Sequence, residues 1–130
     1  MTPSVPSPDH GRPRPDRGSV TAETAVLLPV LLIVLAAAVG VLACVASQLR
    51  CVDAARAAAR VAARGDDAAL VRTTAQRLAP PGARVTIQTR GDTVEVIVSA
   101  DVRPFGPTLE ALGSVDVSGR AVAAVEGEGQ

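Results

Sequence analysis

A chain of 130 residues has room for one membrane helix and one small domain, but not for two hydrophobic cores. Its thirteen basic residues, all of them Arg, are balanced by thirteen acids, so no net charge attracts the chain to nucleic acid. It has one Phe and neither Trp nor Tyr, and so lacks the stacking surfaces that most single-strand nucleic-acid binders use. We therefore expect no nucleic-acid partner.

The first 17 residues, MTPSVPSPDHGRPRPDR, carry five prolines and no apolar periodicity. This composition predicts a disordered leader that ends in a basic group, Arg12, Arg14 and Arg17.

An uncharged and mostly apolar segment runs from Thr24 to Leu49. A helix rises about 1.5 Å per residue, so about 20 apolar residues cross a bilayer core about 30 Å thick. The segment is long enough to span a membrane, and we expect its helix to begin near Val20. Glu23 would then lie in the first turn, where the helix dipole favours a carboxylate. Pro29 predicts a local kink or loosening, which membrane helices tolerate.

Small side chains recur every four residues at Ala36, Gly40 and Cys44. On a helix they form a seam that lets another helix approach closely, so we interpret them as helix-packing residues. The alternative is that Ala and Gly are simply frequent in this chain.

The helical pattern continues past the apolar segment through the Ala-rich stretch from Gln48 to Arg64, and Gly65 is a natural C-cap. Cys44 and Cys51 lie on this helix with Cα atoms about 10 Å apart, beyond the limit of about 7 Å for a disulfide. With His10 in the leader, they make a poor metal site.

Asp66 or Asp67 is expected to cap a second, short helix that runs through Ala79 and ends at Pro80-Pro81-Gly82.

Three runs with period-two alternation follow this helix. The first two, 84–90 and 93–102, flank a Gly91-Asp92 turn, which is a strong hairpin signal. The third begins at Val115, after a loop or single helical turn from Pro104 to Gly113.

These elements predict an α+β fold, in which a long N-terminal hydrophobic (transmembrane) α-helix precedes a short helix and a small three-stranded antiparallel sheet. An outer domain of about 65 residues is marginal alone, so the outer half of the long helix is the expected cover for one face of the sheet. No catalytic constellation emerges, and we expect no enzyme, metal, cofactor or small-molecule substrate.

Two stretches, RGSVTAETAVLLP at residues 17–29 and RCVDAARAAAR at residues 50–60, resemble TadE-like minor pilins or pseudopilins. These belong to tight-adherence (Flp) type IV pilus systems, here in the actinobacterial form. The resemblance is strong from Arg17 to about Asp66 and weak from Arg120 to Glu126. Type IV prepilins are cut after a Gly that precedes the hydrophobic helix, and they keep a Glu as the fifth mature residue.

The resemblance implies cleavage between Gly18 and Ser19, which makes Glu23 the fifth mature residue. It also implies that Glu23 pairs with the new Ser19 amine of a neighbouring subunit and so sets the register of assembly. An acid in lipid costs about 2.5–3.5 kcal/mol, which such a pair would recover. The alternative for Glu23 is a plain acid at the membrane surface.

The implied partners are other pilin subunits, prepilin peptidase and an inner-membrane assembly platform. The implied domains are a cleaved cytoplasmic leader (1–18), the transmembrane helix and its outer continuation (19–65), an extracytoplasmic α+β domain (66–126) and a tail (127–130). The implied location is the cytoplasmic membrane, which the chain crosses once. The assembled subunit could also be part of a pilus at the cell surface. Arginines flank the span on both sides, so charge does not choose the orientation.

Three departures from the major Flp pilins favour a minor subunit. The first mature residue would be Ser19 rather than the Phe that is common in self-assembling pilins, and Thr24 stands where major Flp pilins carry a Tyr after the Glu. Major subunits also have almost no outer domain.

Two other interpretations stay open. Leu27 to Leu35, followed by three alanines, could be the core of an ordinary signal peptide, with a mature start near Val39 or at a lipid-modified Cys44. The chain would then be a secreted or membrane-anchored surface binding module. A signal anchor that is never cleaved is the third interpretation.

Overall fold

The computed structural model describes residues 1–6 and 17–125, with their side chains except at positions 17–19 and 108–110. The predictions for most of the leader, for His10 and for the tail lie outside the described residues. The fold divides into two compact units, Met1–Val34 and Leu35–Gln130.

The element order confirms the predicted α+β class. Helix α1 is followed by a short helix α2, two strands, a 3₁₀ helix and a third strand. The bounds are α1 Arg17–Ala63, α2 Ala68–Leu78, β1 Arg84–Arg90, β2 Thr93–Val102, the 3₁₀ helix Pro107–Leu112 and β3 Val115–Ala124.

Helix α1 has 47 residues, includes Pro29, and begins at Arg17, three residues earlier than expected. Glu23 consequently lies in the second turn, and its predicted place in the first turn was wrong. The dipole effect falls off within the first turn, so it does not stabilise this carboxylate as expected. At the other end, the Gly65 N–H donates to the Ala62 carbonyl at 3.0 Å. Gly65 has a φ of +78°, which suits glycine at a helix end, as predicted.

Helix α2 begins after Asp67, one of the two predicted caps. The Asp67 side chain makes no capping hydrogen bond, although its carbonyl accepts from the Leu70 and Val71 N–H groups. Asp66 instead forms an ion pair with Arg64 at 3.0 Å.

The three strands form an antiparallel sheet in the order β1-β2-β3. The predicted two-residue turn joins β1 to β2, since Arg90 pairs with Thr93 across Gly91-Asp92. Alternate residues of β2 are buried from Val94 to Ala100, which confirms the predicted period of two.

The core of the second unit joins the Ala-rich part of α1 to the inner face of the sheet. Small alanine side chains let the helix lie close to the strands, so the domain obtains a core that three strands alone would lack. The buried members are Cys51, Ala54, Ala55, Ala58, Ala59 and Ala62 of α1, Val71 and Ala75 of α2, and Val85, Val94, Val96, Val98, Ala100 and Val117 of the sheet.

Candidate functional site

The expected cleavage site lies at the start of α1. Gly18 and Ser19 have helical backbone and belong to the first turn. First-turn N–H groups have no partner within their own helix, so this turn opens more readily than the turns that follow. A peptidase that requires extended backbone would therefore have to unwind one turn.

Glu23 is exposed, and its carboxylate makes no hydrogen bond or ion pair within the described part of the chain. Its neighbours Val20, Val26 and Leu27 are apolar and also exposed. In an apolar surrounding, a carboxylate needs a hydrogen-bonding cation or it becomes costly. The arrangement thus leaves Glu23 available for a cation supplied by another molecule.

The apolar side chains of α1 that follow Glu23 are exposed around the helix from Val26 to Leu35. By length and composition, α1 is the one helix among the described residues that could cross a membrane. This suggests a membrane anchor near the N-terminus.

A shallow apolar groove follows the helix surface beside Pro29. The Thr24 hydroxyl donates to the Val20 carbonyl at 2.8 Å, so the single polar side chain of the groove is satisfied within the helix. The groove therefore offers a nonpolar surface. It is lined by Thr24, Leu27, Leu28, Val30, Leu31 and Val34.

The three residues of the predicted helix-packing seam differ in how far their own chain covers them. Gly40 is buried against a loop of its own chain, because a Cβ built there would lie 3.1 Å from two Phe105 ring carbons and 3.3 Å from Pro104 Cβ. Cys44 is half-buried and Ala36 is exposed. Packing of another helix on this seam stays a prediction. Of the three seam residues, Ala36 is the exposed one.

Two contacts between α1 and β3 were not predicted from the sequence. The Gln48 side chain donates from Nε2 to the Ser118 carbonyl at 2.7 Å and accepts from the Ser118 N–H at 3.1 Å. One turn further along α1, Gly119 lies so close to the Cys51 and Val52 backbone that no Cβ would fit. A glycine inside a strand pattern is the signal that could have indicated this close approach.

Both cysteines are free thiols, as the predicted spacing requires. Cys51 lies beyond the uncharged segment, inside the domain core. Burial raises the pKa of the Cys51 thiol, and the nearby Asp116 carboxylate raises it further. The buried thiol is therefore a poor nucleophile and acts as a small core side chain.

The outward face of the sheet is polar, with acids paired to arginines on neighbouring strands. Glu95 contacts Arg120 at 3.0 Å, and Asp101 contacts Arg84 at 3.3 Å. The Arg84–Asp101 pair is exposed and contributes little to stability, whereas the Glu95 side chain is only 13% exposed.

Comparison with known protein families concerns α1. Residues 18–60 match the family model for TadE-like protein. This TadE-like segment includes Gly18, Glu23 and most of α1, and it ends before α2 and the sheet. Searches among curated proteins and among solved structures found no match. The match covers 43 of the 130 residues, so this part of the chain is similar to TadE-like proteins.

Proposed function

We propose that the chain is a minor pilin or pseudopilin-like structural subunit of a tight-adherence (Flp) pilus or a related secretion assembly. The observation that carries the proposal is Glu23, an exposed carboxylate at the entrance of an apolar helix, within a segment that matches the TadE-like family. The role is structural rather than catalytic.

Removal of the leader after Gly18 would create the chemistry that Glu23 requires. The new Ser19 amine has an ordinary pKa near 8, so it is mostly cationic at neutral pH. A neighbouring subunit can place this amine beside Glu23 and so form an ion pair in an apolar surrounding. Any other alignment of the helices leaves a carboxylate and an ammonium group unpaired, which is costly in lipid. The pair thus selects the register of assembly.

The sheet domain favours a minor subunit. It covers one face of α1 from Cys51 to Ala62, so that face is not available to neighbouring helices. A filament built from many such chains would have to accommodate this domain at every position. A subunit used once or a few times, in initiation, length control or at the tip, avoids that problem.

The contact between Gly40 and Phe105 supports retention of the apolar helix. A mature chain that began at a lipid-modified Cys44 would lose Gly40 and leave the Phe105 ring without its partner. The contact therefore disfavours a mature start at Cys44, whereas a start near Val39 would keep Gly40.

The proposed partners are other pilin subunits, prepilin peptidase and the inner-membrane assembly platform. The proposed location is the cytoplasmic membrane, with the α+β domain outside, and the assembled subunit reaches the cell surface in a pilus.

Substitution of Gly18 by Leu tests the proposal. A bulky side chain at this position prevents close approach of the peptidase to the backbone, so the full-length precursor should accumulate when the variant is co-expressed with a prepilin peptidase. Gly11→Leu is the matched control, since it changes another leader glycine and should be processed normally. Normal processing of the Gly18→Leu variant would contradict the proposal.

A further inference from the structure

We propose that the loop from Pro104 to Leu112 lies in the membrane surface, with Phe105 and Leu112 at the boundary between lipid headgroups and acyl chains. The partner is the phospholipid bilayer on the side of the α+β domain. This second lipid contact fixes the depth at which the domain stands on the membrane. The proposal rests on α1 crossing the membrane, which is part of the proposed function.

The loop contacts α1 within its uncharged segment, at Gly40. The Phe105 ring packs on Gly40, and Pro104 lies beside it, both closer to the position of a Cβ than an ordinary van der Waals contact. Gly40 is buried, and no charged residue lies between Thr24 and Leu49. The only aromatic side chain of the protein is therefore placed against the uncharged part of the helix.

Beside Gly40, the described residues of the second unit leave large apolar side chains of α1 exposed. Val39, Val41 and Leu42, which flank Gly40 in the sequence, are 56%, 63% and 67% exposed. Exposed branched apolar side chains on several sides of one helix turn require an apolar surrounding. If acyl chains supply that surrounding, they also reach the Phe105 ring that shares this level.

The water-exposed part of the domain begins a short distance along the same helix. Gln48 hydrogen-bonds to the Ser118 backbone at an exposed strand, a polar arrangement that belongs outside the acyl chains. Gln48 lies eight positions after Gly40, or about 12 Å along the helix axis. The boundary between lipid and water therefore falls between these two residues, beside the loop.

The composition of the loop suits a membrane surface. Leu112 is a large apolar residue that is 63% exposed. Phe and Leu are side chains that insert at the boundary between headgroups and acyl chains, and burial of each one stabilises the contact. Arg103, which is exposed and directly precedes the loop, would lie at the level of the lipid phosphates.

The absence of Trp and Tyr from the sequence allows a clean test by fluorescence. Leu112→Trp places a single probe in the loop, and Ala111→Trp, also at an exposed position, repeats the measurement. Leu31→Trp reports on the apolar part of α1, and Leu70→Trp reports on α2, close to the other end of α1. Each full-length variant is reconstituted at low protein density into phosphatidylcholine–phosphatidylglycerol vesicles with ordinary or brominated acyl chains, because bromine quenches a Trp that it touches.

We expect the brominated vesicles to quench the probes at positions 112 and 31, and to leave the probe at position 70 unchanged. Quenching at position 31 without quenching at positions 112 and 111 would overturn the loop proposal and leave the membrane helix intact. Equal quenching at positions 112 and 70 would also overturn it. No quenching at position 31 would contradict the membrane span itself, and with it the proposed function.

The same measurement separates lipid from a second protein copy. A probe covered by another subunit would shift its emission to shorter wavelength without being quenched by bromine, and the shift would grow with protein density. That result would replace the lipid contact with a contact between subunits and so overturn the proposal.

Discussion

Gly119 of β3 lies against the backbone of Cys51 in α1, and a Cβ at position 119 would overlap the Cys51 carbonyl group. This is the closest approach that the structure shows between the long helix and the sheet at any described glycine. It sets the position of β3 on the helix, because the two backbones touch without an intervening side chain.

We expect Gly119→Ala to destabilise the domain strongly. Overpacking a core costs about 1–3 kcal/mol, and here the obstacle is backbone rather than a flexible side chain, so the upper part of that range applies. Ser118→Ala, at the exposed neighbouring position, should change stability by less than about 0.5 kcal/mol. Urea unfolding of the full chain in detergent, followed by circular dichroism, compares the two. Equal stability of both variants would mean that helix and strand are not in contact here.

The paired hydrogen bonds between Gln48 and Ser118 predict a graded response to substitution. Gln48→Ala removes both bonds and should cost about 1 kcal/mol, since each exposed bond contributes at the low end of the usual range. Gln48→Glu retains an acceptor for the Ser118 N–H but loses the donor to its carbonyl, so its stability should be intermediate. The same unfolding measurement checks the order, and Gln76→Ala in α2 is the control for loss of an amide. An unchanged Gln48→Ala variant would contradict the contact.

The raised pKa of Cys51 predicts loss of stability at alkaline pH. The folded state holds the neutral thiol, whereas the unfolded thiol ionises above about pH 8.5. Above that pH the unfolded chain binds fewer protons than the folded chain, so the free energy of unfolding falls as pH rises. The sequence has no Lys or Tyr, so few other groups titrate in this range.

Unfolding free energies measured between pH 7 and 11 test this prediction. Cys51→Ala should be less stable at pH 7, but its free energy of unfolding should no longer fall as pH rises above about 8.5. Cys44→Ala should keep this fall. A slope that persists in the Cys51→Ala variant would assign the effect to another group.

Glu23 predicts a defect in assembly without a defect in folding. Glu23→Gln removes the charge at constant size, so the variant should enter the membrane and be processed but should co-purify poorly with other pilin subunits. Glu95→Gln is the matched control, because it removes a carboxylate that pairs with Arg120 in the sheet rather than one on the apolar part of α1. Equal recovery of partner subunits with both variants would remove the proposed role of Glu23.

Local patterns were sufficient to predict most elements of this fold. The period of two in β1 and β2, with Gly91-Asp92 between them, predicted the hairpin because register and turn are set by adjacent residues. The end of α1 at Gly65 was likewise predicted from glycine's tolerance of positive φ. The predicted start of α1, near Val20, was three residues too late, because the sequence has no distinctive cap before the first turn at Arg17.

Contacts between distant residues could not be predicted in the same way. Gln48 and Ser118 are 70 positions apart, and no periodicity connects them. The Gly40 position was interpreted as a surface for another helix, whereas the structure places Phe105 of the same chain on it. A small residue on a helix indicates close packing, but it does not identify what packs there.

The mass and N-terminal sequence of the protein recovered from the membrane fraction test the central claim most directly. The account predicts a mature chain that begins at Ser19 and still contains the apolar helix. A chain that retains Met1, or one that begins near Val39 or at Cys44, would contradict it.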